Sequence, residues 1–122
     1  MKSFLCGVVF TAALLTAGCS RSNSQRQNAT AGQPTAPELM TQYGCPTCHV
    51  ISNVPGAVGK VGPSLDDLAQ RSYLAGTLQN SPDNLIHWIQ HPQQIHPDTA
   101  MPEMGVTSSD ATRIAAFLQT NH

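Results

Sequence analysis

The chain has 122 residues, of which 40% are hydrophobic, 5% aromatic and 11% charged, a length that holds one domain with a tail. A formal net charge of −1 excludes a nucleic-acid binder that works by neutralising phosphates. Nine glycines and nine prolines point to short elements and long loops, and so few aromatics leave a small core poorly filled by side chains alone.

The first eighteen residues read as an address. Lys2 gives a positive start, and Phe4 to Ala17 form a mostly apolar run of the kind found in secretory signal peptides. The run is shorter than the about 20 apolar residues a transmembrane helix needs. It ends in Leu15-Thr16-Ala17-Gly18-Cys19 and the chain then turns polar. Small residues followed by cysteine at this point resemble a bacterial lipoprotein signal, which implies cleavage before Cys19 and a lipid on Cys19. Thr16 stands where leucine is more usual in that pattern. Ordinary cleavage nearby, leaving Cys19 a spare thiol, is the alternative.

Residues 19–36 read as the lipidated cysteine and a tether. Ser20 to Ala36 contain no Leu, Ile, Val, Phe, Met, Trp or Tyr, so nothing there offsets the entropy of ordering the backbone. Seventeen such residues span roughly 20–25 Å r.m.s.. From Pro37 to His122 seven carboxylates face three bases, Lys60, Arg71 and Arg113, so the globule is mildly acidic.

Within 37–122 the punctuation predicts about four short helices and no convincing strand. Pro37 to Tyr43 is a brief helix with Pro37 in its first position. Ser64 caps a short helix through Leu65, Leu68 and Ala69. Ser81-Pro82 starts a helix that carries Leu85, Trp88 and Ile89 on one face and stops at Pro92. Thr107-Ser108-Ser109-Asp110 opens the last helix as a capping box with Asp in place of Glu. Ala111, Ile114, Ala115 and Leu118 make its apolar face, at i, i+3, i+4 and i+7, and Phe117 widens it. The expected class is all-α with long loops.

Chemistry concentrates in Cys45-Pro46-Thr47-Cys48-His49. Two thiols at this spacing can add to both vinyl groups of one haem, with the following histidine placed to ligate its iron. A zinc site would want a second ligand pair; no second cysteine pair exists, though His87 and His91 stand four apart. A thioredoxin-like dithiol would want a strand and a βαβ context, and neither is visible. A plain disulfide leaves His49 unexplained. Covalent haem c is the reading that uses all three residues, and it suits a chain exported from the cytoplasm.

Further motifs follow in order: Gly62-Pro63-Ser64-Leu65, Arg71, Trp88-Ile89-Gln90-His91-Pro92, His96-Pro97-Asp98-Thr99-Ala100-Met101-Pro102 and Ile114-Ala115-Ala116-Phe117-Leu118. With these, the chain from Pro37 to His122 resembles the class I cytochromes c, and looks closest to the haem-c domains that serve, or are fused to, terminal respiratory oxidases. The resemblance implies a small cytochrome c fold wrapped around one covalent haem. It implies that Cys45 and Cys48 form the thioethers and that His49 is the proximal iron ligand. The Pro63 carbonyl would accept a hydrogen bond from the other ring nitrogen of His49. Met101 would be the distal ligand, Arg71 would pair with a haem propionate, and Trp88 would pack in the haem pocket. Asp98 departs from the family's Pro-Gly-Thr form of the methionine loop. Met104 is the nearest substitute for Met101, and Met40 is expected to pack. His87, His91 and His96 are expected at the surface or the pocket edge, and Asp66-Asp67 on a solvated face.

A haem iron with both axial positions filled has no place for a substrate, so the expected function is one-electron transfer rather than catalysis. The partners implied are membrane redox complexes, such as a terminal oxidase or a quinol-oxidising complex. The expected location is the cell envelope, anchored by lipid on the outer side of the cytoplasmic membrane or in the periplasm. Two alternatives stay open. One is a haem-c subunit held permanently in an oxidase or dehydrogenase. The other is an open-iron gas sensor or peroxidase, for which His96 is the one distal candidate.

Overall fold

A computed structural model describes residues 32–122; the expected leader, Cys19 and the expected tether up to residue 31 lie outside the described residues. Pro34–His122 forms one compact unit. Its helices are α1 (Ala36–Gln42), α2 (Cys45–Cys48), α3 (Pro82–Gln90), α4 (Pro92–Ile95) and α5 (Ser108–Leu118). None among the described residues is long and apolar enough to cross a membrane.

The ends of α1 and α3 follow from their caps. Thr35 and Glu38 close a full capping box on α1, in which the Glu38 carboxylate accepts the Thr35 backbone N–H at 2.6 Å. Thr35 and Ala36 therefore belong to the folded unit, where the sequence reading ended the tether at Ala36. Ser81 caps α3 by accepting the Asn84 N–H at 3.2 Å. Pro92 cannot continue the helix, and α3 stops at Gln90.

At α5 the expected box closes by half. Thr107 accepts the Asp110 N–H at 3.2 Å, but the Asp110 carboxylate takes hydroxyls instead: Thr107 at 2.9 Å and Tyr43 at 2.8 Å. Aspartate is one methylene shorter than the glutamate of the box, and here it ties α5 to the end of α1.

Helix α5 packs against both α1 and α3. Ala111 and Ala115 are buried on it beside Ile114 and Leu118, and their small side chains let neighbouring backbones approach. Leu39, Met40, Leu85 and Ile89 complete this part of the core.

Two expectations are corrected. Ser64 starts no α-helix. Its hydroxyl accepts the Asp66 N–H at 3.1 Å, a local turn that competes with helix. Asp67 is then left-handed at φ 54 and only a 3₁₀ turn, Leu68–Gln70, follows. The unit is also not purely helical: Tyr73–Leu74 (β1) pairs antiparallel with Leu78–Gln79 (β2), Tyr73 opposite Gln79 and Leu74 opposite Leu78. Strands of two residues are too short to display an alternating pattern.

Between α2 and β1 the chain is a long loop with its own small anchor. Ile51, Val54 and Ala57 are buried, and Val50 bridges Val58. The C-terminus clasps this loop. Asn121, 5% exposed, donates to the Ser52 carbonyl at 2.9 Å and accepts from the Asn53 side chain at 2.8 Å.

Candidate cofactor site

A cavity of about 510 Å³ opens in this unit, within the size range of cofactor pockets. Cys45, Cys48, His49, Pro63, Arg71, Trp88 and Met101, every site residue predicted within the globule, line it. They arrive from α2, the long loop, α3 and the loop after α4, with 55 residues of chain between Cys45 and Met101. The helices supply the apolar floor, including Met40, Leu85, Ile114 and Leu118.

The cysteine motif is set by the backbone. Gly44 precedes α2 with φ 80, a left-handed conformation that favours glycine, and this turn swings the chain out of α1. Cys45–Cys48 makes a single helical turn, which brings both thiols to the cavity. They are free rather than joined as a disulfide. Burial pushes the Cys45 thiol above its ordinary range, and the neighbouring Cys48 acts in the same direction.

His49 leaves the turn in an extended conformation, and its Nδ1 lies 2.7 Å from the Pro63 carbonyl oxygen. A carbonyl only accepts, so Nδ1 carries the proton. In the neutral ring Nε2 is then a bare lone pair, the form that ligates a metal. Gly62 makes this approach feasible: any Cβ there would run into the His49 ring. The loop is held in register by Gly62 N–H donating to the Cys48 carbonyl at 2.8 Å and Leu65 N–H to that of Val50 at 2.8 Å.

Arg71 lines the cavity, and its Nη2 donates to the carbonyls of Ser64 at 2.7 Å and Asp66 at 3.1 Å. It therefore braces the loop that presents Pro63. Asp66 is not the freely solvated residue expected. Its carboxylate accepts the Ser52 N–H at 2.7 Å. That bond first, and then the Ser64 hydroxyl and the Arg71 charge, hold its carboxyl below the usual carboxylate range.

Met101 is half-buried in the loop after α4, and its backbone N–H donates to Thr99 Oγ1 at 3.2 Å. Met104 also reaches the cavity but is 37% exposed. Met40 packs, as expected, with no exposed surface. Trp88 is half-buried and meets His96 edge-on, with ring centroids 6.2 Å apart.

Sequence reasoning missed three features. The Thr35–Glu38 box was legible as Thr-x-x-Glu. The Tyr43–Asp110 bond joins residues 67 apart and has no local signal. His96, placed at a pocket edge, also hydrogen-bonds Thr77 in the β-turn.

No family model and no solved structure matches the chain. Among curated proteins it is similar to "Cytochrome c oxidase subunit 2" of Alkalihalophilus pseudofirmus, at 26% identity over 84 residues, which are 68% of this chain and 24% of that one. The chain thus matches about a quarter of the length of this relative. Sequence similarity accordingly relates it, distantly, to a respiratory oxidase subunit.

Proposed function

We propose that the protein is a one-electron carrier of class I cytochrome c type, with one haem c attached covalently through Cys45 and Cys48. The observation that carries this reading is His49. Its Nδ1 is held by the Pro63 carbonyl, its ring has room only because position 62 is glycine, and it shares a cavity with two free thiols and Met101. The donor set fits the group: two thiols for thioether bonds, one imidazole with a defined bare nitrogen, one soft thioether, and a mostly apolar lining.

Bound in this way, a haem c would supply a reversible change of one charge at its iron, at a potential raised by methionine relative to two histidines. The chain's own residues do the rest. Pro63 fixes the tautomer of His49 and raises its basicity as a ligand. Met101, which lines the same cavity, would offer its thioether sulfur as the second protein ligand and so compete with any incoming substrate or gas. Leu68, Leu85 and Ile114, all buried, give the cavity an apolar lining. Trp88 packs in the pocket. Arg71, already bracing the loop, has further N–H groups for a propionate. Electron transfer of this kind needs no side chain to act as acid, base or nucleophile.

The likeness to an oxidase subunit supports a place in a respiratory chain, with a terminal oxidase or a quinol-oxidising complex as partner. It equally favours a second reading, in which the domain is a permanent subunit of such a complex. Purification in mild detergent separates them: a monomer fits the shuttle, and co-purified oxidase subunits fit the second reading.

In the same proposal residues 1–18 are a lipoprotein signal, Cys19 carries the lipid, and the tether keeps the globule at the cell envelope. There the local concentration of partners in the same membrane is high, and docking can be brief, as redox encounters are. Cys19→Ala would then release the protein to the soluble fraction.

Covalent attachment is tested by haem staining of the protein after denaturing electrophoresis. The wild type should stain, and Cys45→Ala with Cys48→Ala should not. A wild type that carries no stain would overturn the proposal.

A further inference from the structure

The loop that carries Met101 has no helix or strand between Ile95 and Ser108, yet a thioether is a weak ligand that the protein must hold in place. The C-terminal end of this loop is fixed. Val106 is buried, and its carbonyl accepts from Gln90 Nε2 at 3.2 Å. What fixes the other end is a chain of three hydrogen bonds. Thr77 Oγ1 lies 3.0 Å from His96 Nε2. The His96 carbonyl accepts the Thr99 N–H at 3.0 Å. Thr99 Oγ1 accepts the Met101 N–H at 3.2 Å.

Thr77 is a sound point of attachment. It sits in the turn between β1 and β2, where its N–H donates to the Leu74 carbonyl at 3.1 Å, and Leu74 is buried at 4% exposure. The hairpin is therefore rooted in the core, and residues 73–75 line the same cavity as Met101. The His96 ring is steadied from α3 by its edge-on contact with Trp88. A hydroxyl both donates and accepts, so the Thr77–His96 link forms with either tautomer of His96 and needs no change of protonation.

We propose that Thr77, His96 and Thr99 are positioning residues that couple the hairpin to Met101 and keep its sulfur on the iron. The inference rests on the reading of Met101 as the distal ligand. None of the three need touch the iron. They set how often the loop opens, and an incoming ligand binds in proportion to the open fraction. Removing one hydrogen bond of ordinary net strength should raise that fraction roughly 3- to 10-fold.

The test titrates imidazole into the ferric, full-chain holoprotein and follows loss of the weak red absorption band of methionine-ligated haem. Thr77→Val and Thr99→Val should each lower the apparent imidazole dissociation constant roughly 3- to 10-fold. Thr77→Ser, which keeps the hydroxyl, should return it to the wild-type value. Thr112→Val, on the exposed side of α5, should leave it unchanged. An unchanged constant in both valine variants, with the band intact in wild type, would overturn the relay alone. A change in Thr99→Val but not in Thr77→Val would overturn the link to the hairpin. A wild-type holoprotein without the band would overturn Met101 ligation, and the relay with it.

Discussion

The molecule has two kinds of wall around one cavity. The helical side, α1, α3 and α5, is held by burial: Leu39, Met40, Leu85, Ala111, Ile114 and Leu118 have almost no exposed surface. The loop side, residues 49–71 and 96–106, buries fewer side chains and is held by bonds from polar groups to backbone: His49 to Pro63, Arg71 to Ser64 and Asp66, Asp66 to Ser52. The helical side sets how wide the cavity is. The loop side brings His49 and Met101 to it and fixes the ring of His49 through Nδ1. Damage to the first should cost stability, and damage to the second should cost ligation before it costs the fold.

On the helical side the residue with most to lose is Ile114. It is 1% exposed on the helix that both others pack against, and Ile114→Ala should cost about 2–5 kcal/mol, the range for such truncations in a core. Urea unfolding followed by helical circular dichroism reads this as a lower midpoint with the slope unchanged. A midpoint within experimental scatter of wild type would mean that α5 is not the frame's centre.

On the loop side Asn121 clasps residues 52 and 53 from the end of the chain. Asn121→Ala removes the donor to the part-buried Ser52 carbonyl and should cost about 0.5–1.5 kcal/mol. Hydrogen exchange should rise at residues 50–58 while α1 and α3 keep their protection. Equal loss everywhere would mean that loop and frame unfold as one.

The smallest expected effect is on acid stability. The Tyr43 hydroxyl, then that of Thr107 and the charge of Arg113, hold the Asp110 carboxyl below its usual range. A folded value below the unfolded one means the contribution is complete above about pH 4. It is lost as the pH falls through the depressed folded value. Asp110→Asn should therefore flatten the acid arm of the stability curve and leave its neutral region nearly level. An acid arm as steep as that of wild type would assign the dependence to other carboxylates, Asp66 first.

The two sides also differ in how much of them the sequence disclosed. Helix starts at Ser81 and Thr107 and the stripe of Ala111, Ile114, Ala115 and Leu118 are local signals, set by one residue's hydroxyl or by the helical period, and the structure has them in place. The cysteine motif stood out because few chemistries use two thiols and a histidine at that spacing, whereas the Pro63 carbonyl, which any residue could supply, was expected from the family resemblance alone, and the structure has it 2.7 Å from His49. The Ser64 segment misled because its hydrophobic spacing was helical while Ser64 and Asp67 favour turns. The Tyr43–Asp110 and Thr77–His96 bonds join residues far apart in the chain, and no local pattern encodes a pairing across 67 or 19 residues. Thr35 looked like linker because a cap needs no apolar side chain.

The central claim is an iron closed by His49 and Met101 in a covalently bound haem. Its most direct test is the absorption spectrum of the purified full-chain protein, oxidised and reduced. The account predicts a haem c spectrum whose oxidised form has the weak red band of methionine ligation, and that Met101→Ala abolishes this band while the haem stays attached. A haem spectrum without the band in wild type, or a band that survives in Met101→Ala, would contradict it.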